Sequence, residues 1–306
     1  MKDSTKEAYL NAYKGSLLEY LVVLEFAKKF GVFNKFINSL DPSYKIQLQS
    51  YELAIRNSDR NLLNQLGLIA KRLCLTYLEK LQPEKVHTIL LTAQSHESEA
   101  DLILMGSKEY KISIKLCKFK SYINTKSAGA KSFFKKYFMD TLTQDKFNKE
   151  LEISFEHFAR SMFDHHDLEY VSGFENWPEE LSELPGELSV DERVIYENYM
   201  KKISFKFYEF FKISLTSPVQ LTSLLGFSSI DIVHLICFHS GTDEYQISEV
   251  LVDTFHEFIE FNYLSEPVDK FSFEISIGEK ILQVRCKPMN KFSAPSLKIN
   301  CSVKYL

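Results

Sequence analysis

Residues Ala100–Lys118 constrain this chain more than any other stretch, because apolar and polar positions alternate at period two on both sides of a short turn. Ala100–Met105 and Lys111–Lys118 read as two strands, and Gly106-Ser107-Lys108 fits a three-residue hairpin loop. If Met105 pairs with Glu109, Asp101 falls opposite Ser113 and Glu99 opposite Lys115. Odd-numbered side chains of both strands then share one face, so Asp101, Ser113 and Lys115 converge. A strand at Val86–Ala93 leads into the hairpin. Helical periodicity covers about Thr5–Phe30, Ser43–Arg56 and Arg60–Leu81 before it and about Lys131–Phe163 after it. Strands and helices so interleaved imply the α/β class.

A carboxylate beside a lysine on neighbouring strands suits metal-assisted cleavage of a phosphodiester. The acid holds a divalent cation, while the lysine orients or activates water and offsets charge developing on phosphate. A literal Glu-x-Lys also occurs at Glu109-Tyr110-Lys111. It sits against the turn, and at about 3.3 Å per residue its acid is too far from Asp101 to share a metal. The alternative for Asp101 and Lys115 is an incidental ion pair on a polar hairpin face.

Other residues bear on the same chemistry. Glu19 interrupts an apolar run from Leu17 to Leu24, and its helical neighbours are Gly15, Ser16, Val22 and Val23. A carboxylate there is costly unless it is paired, bound to metal or, as the alternative, hydrogen-bonded to one of the tyrosines. Glu25, with Lys28 and Lys29 at i+3 and i+4, reads as a solvated face. Glu97 and Glu99 share the odd-numbered face with Asp101 and are rival ligands, or solvated residues at a strand entry. From Tyr110 to Met139 there are eight lysines and no acid, although the whole chain carries a net charge of −4. Lys118, Lys120, Asn124, Lys126, Ser127 and Lys131 in that tract suit a phosphate backbone, with Ala128-Gly129-Ala130 as a loop for close backbone approach. The alternative is a lysine-rich solvated surface.

The order of Asp101, a hairpin, then Ser113-Ile114-Lys115 resembles the PD-(D/E)XK nuclease superfamily in its Ser-x-Lys variant, and within it type II restriction endonucleases. The resemblance covers roughly Gly15–Phe138. It implies a restriction-endonuclease-like core, a mixed central sheet flanked by helices, followed by a β-rich α+β C-terminal portion. It makes Asp101 the metal-binding aspartate and Lys115 the catalytic lysine, and it puts Ser113 where a second carboxylate usually stands. Glu19 matches the glutamate that such nucleases often carry on the preceding helix. Mg²⁺, or Mn²⁺ in its place, would then be held by Asp101, Glu19 and the backbone carbonyl of Ile114, with Glu99 as the weaker candidate. The implied activity is sequence-specific hydrolysis of double-stranded DNA by a homodimer, with a cognate DNA methyltransferase protecting the host. A defence or repair nuclease on structured or single-stranded nucleic acid stays open, as does a non-catalytic binding protein on the same fold.

In the last forty residues, Leu282, Val284 and Cys286 alternate with Gln283, Arg285 and Lys287, and Leu297, Ile299, Cys301, Val303 and Tyr305 with Lys298, Asn300, Ser302 and Lys304. Paired, the strands present a basic, hydrogen-bonding face, and the connection between them projects Lys291. A two-stranded ribbon of this kind can enter the major groove and read bases. The alternative is an ordinary half-exposed sheet.

Composition bounds the rest. The 306 residues, 45% hydrophobic, fill one large core or two modest ones. Glu175–Glu192 holds seven acids, two prolines and no base, and suggests a division into a nuclease core at 1–174, an acidic linker at 175–192 and a recognition region at 193–306. The five scattered cysteines read as reduced core residues, and Phe163–Asp167, with its two histidines, as a helix-terminal surface. No apolar run is of membrane-spanning length and no signal-peptide pattern is present, so a cytoplasmic protein is expected. Phosphate-loop and dinucleotide-binding glycine motifs are missing, which argues against nucleotide-driven chemistry.

Overall fold

The computed structural model describes residues 3–94, 100–172, 188–227, 232–240, 247–254, 261–267, 271–288 and 297–306. In chain order the elements are α1 (Asp3–Lys29), α2 (Phe33–Ser39), α3 (Pro42–Ser58), α4 (Arg60–Leu81), β1 (Thr88–Leu91), β2 (Leu102–Met105), β3 (Glu109–Lys118), β4 (Ile123–Gly129) and α5 (Phe133–Phe138). They continue with α6 (Thr141–His165), α7 (Val190–Ser214), α8 (Pro218–Leu224), β5 (Ile232–His239), β6 (Ile247–Thr254), β7 (Phe261–Leu264), β8 (Ser272–Ile277), β9 (Lys280–Pro288) and β10 (Leu297–Tyr305). The chain is mixed α/β and forms two compact units, Met1–Ser121 with Phe227–His256, and Tyr122–Gly226 with Glu257–Leu306.

In the first unit the helices start and stop where the sequence provides caps. Asp41 accepts from the amides of Ser43 and Tyr44 at the start of α3, with Pro42 in the first turn. Asp59 ends α3 and its carboxylate accepts from Asn61 and Leu62 to begin α4. Leu17, Leu18, Val22, Val23, Phe26 and Ala27 form the buried stripe of α1 and join a core with α4 and the sheet.

That sheet runs β1-β2-β3-β5-β6. The hairpin has the register its alternation requires, Met105 opposite Glu109 and Leu102 opposite Ile112. Its turn is sterically tight, since a Cβ on Gly106 would lie 2.6 Å from the carbonyl oxygen of Glu84 and 2.9 Å from that of Lys85. Strand β5 lies parallel to β3, with Ser113 beside His234 and Lys118 beside His239, and β6 returns antiparallel. Leu235, Ile236, Cys237 and Phe238 are all buried, so β5 needs cover on both faces and lies inside the sheet between β3 and β6.

The units therefore do not follow the boundaries at 1–174, 175–192 and 193–306. A change in composition marks where the chain is solvated, whereas membership of a unit is decided by strand pairing. Most of the acidic stretch, residues 173–187, lies outside the described residues.

The second unit is built on an antiparallel sheet ordered β4-β10-β9-β8-β7. The helical region expected over about Lys131–Phe163 forms as two helices, because the chain breaks at Met139, which adopts a left-handed φ of 56° and ends α5. Asp140 then caps α6 by accepting from the amide of Thr143. Phe133, Phe134, Phe147, Phe207, Phe211 and Phe273 pack largely edge to face in the core. Among the described residues no helix is long and apolar enough to cross a membrane.

Candidate active site

Asp101 stands one residue before β2, where β3 extends past its neighbour and would leave a backbone donor unpaired. Its side chain takes the place of the missing strand. Oδ2 accepts from Ile114 N–H at 2.5 Å, from the hydroxyl of Ser113 at 3.0 Å and from Lys115 Nζ at 3.4 Å. The Asp101 amide in turn donates to the carbonyl of Ile112 at 2.9 Å, which holds the residue in register. Ser113 is buried, and the side chains of Lys115 and Asp101 are 30% and 21% exposed. This ion pair is thus partly shielded from water, unlike that between Lys111 and Glu109 at 3.4 Å beside the turn, where the acid is 48% exposed.

Glu19 reaches the same place from α1. Burial first, and then the negative charge of Asp101, push its carboxyl up to about 8, while Lys115 pulls it down. Among the described residues no tyrosine hydrogen-bonds Glu19. Tyr44 has its hydroxyl buried without a partner, and burial and the charge of Glu19 push that hydroxyl up to about 12. Glu25, by contrast, pairs with Lys28 at 2.6 Å on the solvated side of the helix.

Two carboxylates brought together offer oxygen donors suited to a hard divalent cation. Three donors already share Oδ2 of Asp101, and Oδ1 is the oxygen left for a cation. Ile114 directs its N–H toward Asp101, and in an extended strand the carbonyl of the same residue points to the same side, so that oxygen lies on the same edge. Glu19, Asp101 and the Ile114 carbonyl are the groups that would hold Mg²⁺. Among the described residues no three His, Cys, Asp or Glu converge as a complete metal set. Glu97 and Glu99 lie outside the described residues.

A cavity of about 430 Å³ opens beside these groups, lined by Asn11, Lys14, Gly15, Leu18 and Glu19 of α1, by Ile114, Lys115 and Leu116 of β3, and by His239 of β5. Asn11, Lys14 and His239 were not singled out from the sequence. The helical spacing of Asn11, Gly15, Leu18 and Glu19 was available there, but His239 joins only through the parallel pairing of β5 with β3.

The basic tract divides between the units. Lys111, Lys115, Lys118 and Lys120 belong to the first, and Lys126, Lys131, Lys135 and Lys136 to the second. Being free of acids in sequence does not make it so in space, since Lys131 pairs with Glu152 of α6 at 3.2 Å. Nor is Asn124–Ala130 a phosphate-gripping loop. Asn124, Lys126, Ser127, Ala128 and Gly129 pair with β10 as the edge strand β4, and Ala130 begins a short 3₁₀ turn.

The C-terminal strands pair as their alternation implies, with Lys298 opposite Lys287, Asn300 opposite Arg285 and Ser302 opposite Gln283. They are not a free ribbon, however. β4 flanks β10 and β8 flanks β9, so Ser127 donates to Asn300 Oδ1 at 2.8 Å and Gln283 bonds Glu274 at 3.2 Å. Five strands about 4.8 Å apart are too wide for a major groove of about 12 Å. The face remains basic: burial first, and then Arg285 and Lys298, hold the Lys287 ammonium below its usual range. Lys291 lies outside the described residues.

The five cysteines are unpaired, and at the end of α6 His166 pairs with Glu192 at 3.0 Å. Comparison with protein-family models, with curated proteins and with solved structures finds no match.

Proposed function

We propose that the chain is a Mg²⁺-dependent endonuclease that hydrolyses double-stranded DNA at specific sequences, in the manner of the type II restriction enzymes its motif resembles, on a restriction-endonuclease-like core. One observation carries the reading. Glu19 approaches Asp101 and Lys115 closely enough for their charges to shift its ionisation, although the three residues come from separate elements. An idle acid has no reason to be buried against a second acid. A bound cation gives it one.

Mg²⁺ held by Glu19, Asp101 and the Ile114 carbonyl would supply Lewis-acid polarisation of the phosphate and an acidified water. The protein groups have separate tasks. Ser113 and the Ile114 amide fix the Asp101 carboxylate through Oδ2. Lys115, tethered at 3.4 Å, is placed to orient water and to offset charge on the phosphate in the transition state. Ser113 thus positions an acid where related motifs carry a second one, and Glu19 makes up the missing charge.

The basic sheet face of the second unit, with Arg285, Lys287 and Lys298, fits a surface for the duplex backbone. A homodimer on a palindromic site and a partner methyltransferase accompany this reading. The test is incubation of the full chain with plasmid DNA and Mg²⁺. Discrete bands are expected. Random degradation points to a nuclease without a site, and intact plasmid with retained binding sinks the enzymatic reading in favour of a DNA-binding protein.

A further inference from the structure

The cavity beside Glu19 is polarised. Glu19 brings to its lining the acid that stands beside Asp101. Lys14 and His239 line it as well, and Lys118 pairs with His239 at the end of β3. The two lysines are close enough to the imidazole of His239 that, after burial, their charges hold it below its ordinary range. Lys14 is steadied on its own helix, donating to Asn11 Oδ1 at 3.3 Å. At 1.5 Å of rise and 100° per residue, Lys14 lies about 7.5 Å along α1 from Glu19 and about 140° round it, and both line the one cavity.

Gly15 follows Lys14 on α1 and lines the cavity. A Cβ there would meet nothing within 4 Å, so packing does not require glycine. Its missing side chain keeps the cavity open there.

We infer that Lys14, Asn11 and His239 form a seat for the phosphate adjacent to the scissile one, so that the substrate must be a polynucleotide strand carrying a phosphate on both sides of one sugar. The inference rests on the nuclease reading for the role of Glu19 and Asp101, but the seat itself is defined by the α1–β3–β5 cavity. It assigns a binding role to residues that no motif marks. It also gives a task to Lys14, the lysine that lines the cavity beyond the one the chemistry uses.

The probe is thymidine 3′,5′-bisphosphate, compared by calorimetry with thymidine 3′-phosphate and 5′-phosphate on the full chain in Mg²⁺. The bisphosphate is expected to bind at least about tenfold more tightly than either monophosphate. Lys14→Ala should abolish that advantage, Lys14→Arg should restore most of it, and His239→Gln should reduce it. Thermal melting of each variant separates loss of binding from loss of fold. A bisphosphate no tighter than the monophosphates, or an advantage that survives Lys14→Ala in a folded variant, overturns the seat. Plasmid cleavage is read separately. Cleavage without Lys14-dependent bisphosphate binding sinks the seat alone, whereas that binding without cleavage sustains the seat and sinks the nuclease reading.

Discussion

The hairpin site of the first unit and the sheet face of the second both hold charge, in opposite ways. Around Asp101, acid and base meet at hydrogen-bond distance, and a further acid, Glu19, is pressed against them by burial. On β9 and β10, Arg285, Lys287 and Lys298 stand side by side, Arg285 exposed and both lysines half-buried, and Lys287 gives up part of its basicity to stay there. Two carboxyl groups shielded from water beside one lysine suit a small, strongly held cation. A surplus of exposed positive charge suits a long polyanion bound through many weak, salt-sensitive contacts. On the proposed reading chemistry and affinity are separable, and substitutions in the two regions should fail differently.

The largest effect is expected at the hairpin. Asp101→Ala and Lys115→Ala should each lower the cleavage rate by about 10²–10⁴-fold while leaving DNA binding, measured by gel shift, near wild type. Lys111→Ala should lose little, because its partner is Glu109 at the turn. Equal losses at Lys111 and Lys115 would return the site to the Glu109-x-Lys111 triplet and break the comparison.

Glu19→Gln comes next. Cleavage should fall by about 10²-fold and recover in part at raised Mg²⁺ or in Mn²⁺, because the defect is in metal occupancy. The same variant has a signature without DNA. The folded carboxyl is raised from 4.5 to about 8, so between those values the folded chain keeps a proton that the unfolded chain has released. That contribution to stability is fully present below about pH 4.5 and is lost as pH rises to about 8. In metal-free melting curves the difference between wild type and Glu19→Gln should change through that window in this sense. A constant difference would place Glu19 outside the site.

Gly106→Ala tests whether the site depends on the hairpin as well as on its charges. The new methyl meets two backbone carbonyls, and moving them should cost about 1–3 kcal/mol in denaturant unfolding. A neutral result would mean that the turn yields freely. Smallest is the effect of any one lysine on the sheet face. Lys287→Ala or Lys298→Ala should weaken binding to all DNA sequences alike and reduce the salt dependence of log K by about 0.9 each. Loss of sequence preference at Arg285→Ala, without such a change, would turn that face from backbone attraction to base reading.

The hairpin was legible because everything that fixes it is local: two alternating runs, a three-residue loop and an acid one step beyond a strand. Glu19 was legible because it is the wrong residue for its helical neighbours. The partner of β3 was not, since an apolar run such as Ile232–Phe238 shows that it is buried without showing beside what. Strand β4 was hidden by its polar, glycine-containing sequence, which an edge strand tolerates. The face of β9 and β10 was read correctly and its setting was not, because alternation reports which side of a strand is wet and says nothing of how many strands flank it. Lys131 makes the same point with charge, since its acid comes from a helix turn well downstream.

The parallel pairing of β3 with β5 also orders events on the ribosome. The edge of β3 that β5 will cover is complete at Lys118, but β5 begins only at Ile232, and the intervening chain builds much of the other unit. At about 5–20 residues per second that interval is on the order of ten seconds, during which β3 is an open edge. Lys111, Lys115 and Lys118 are the charges that strand carries against pairing with another chain until β5 docks. Protease protection of nascent α1–β3 is expected to appear only after β5 has emerged, and its appearance on shorter chains would show that the first unit closes without β5.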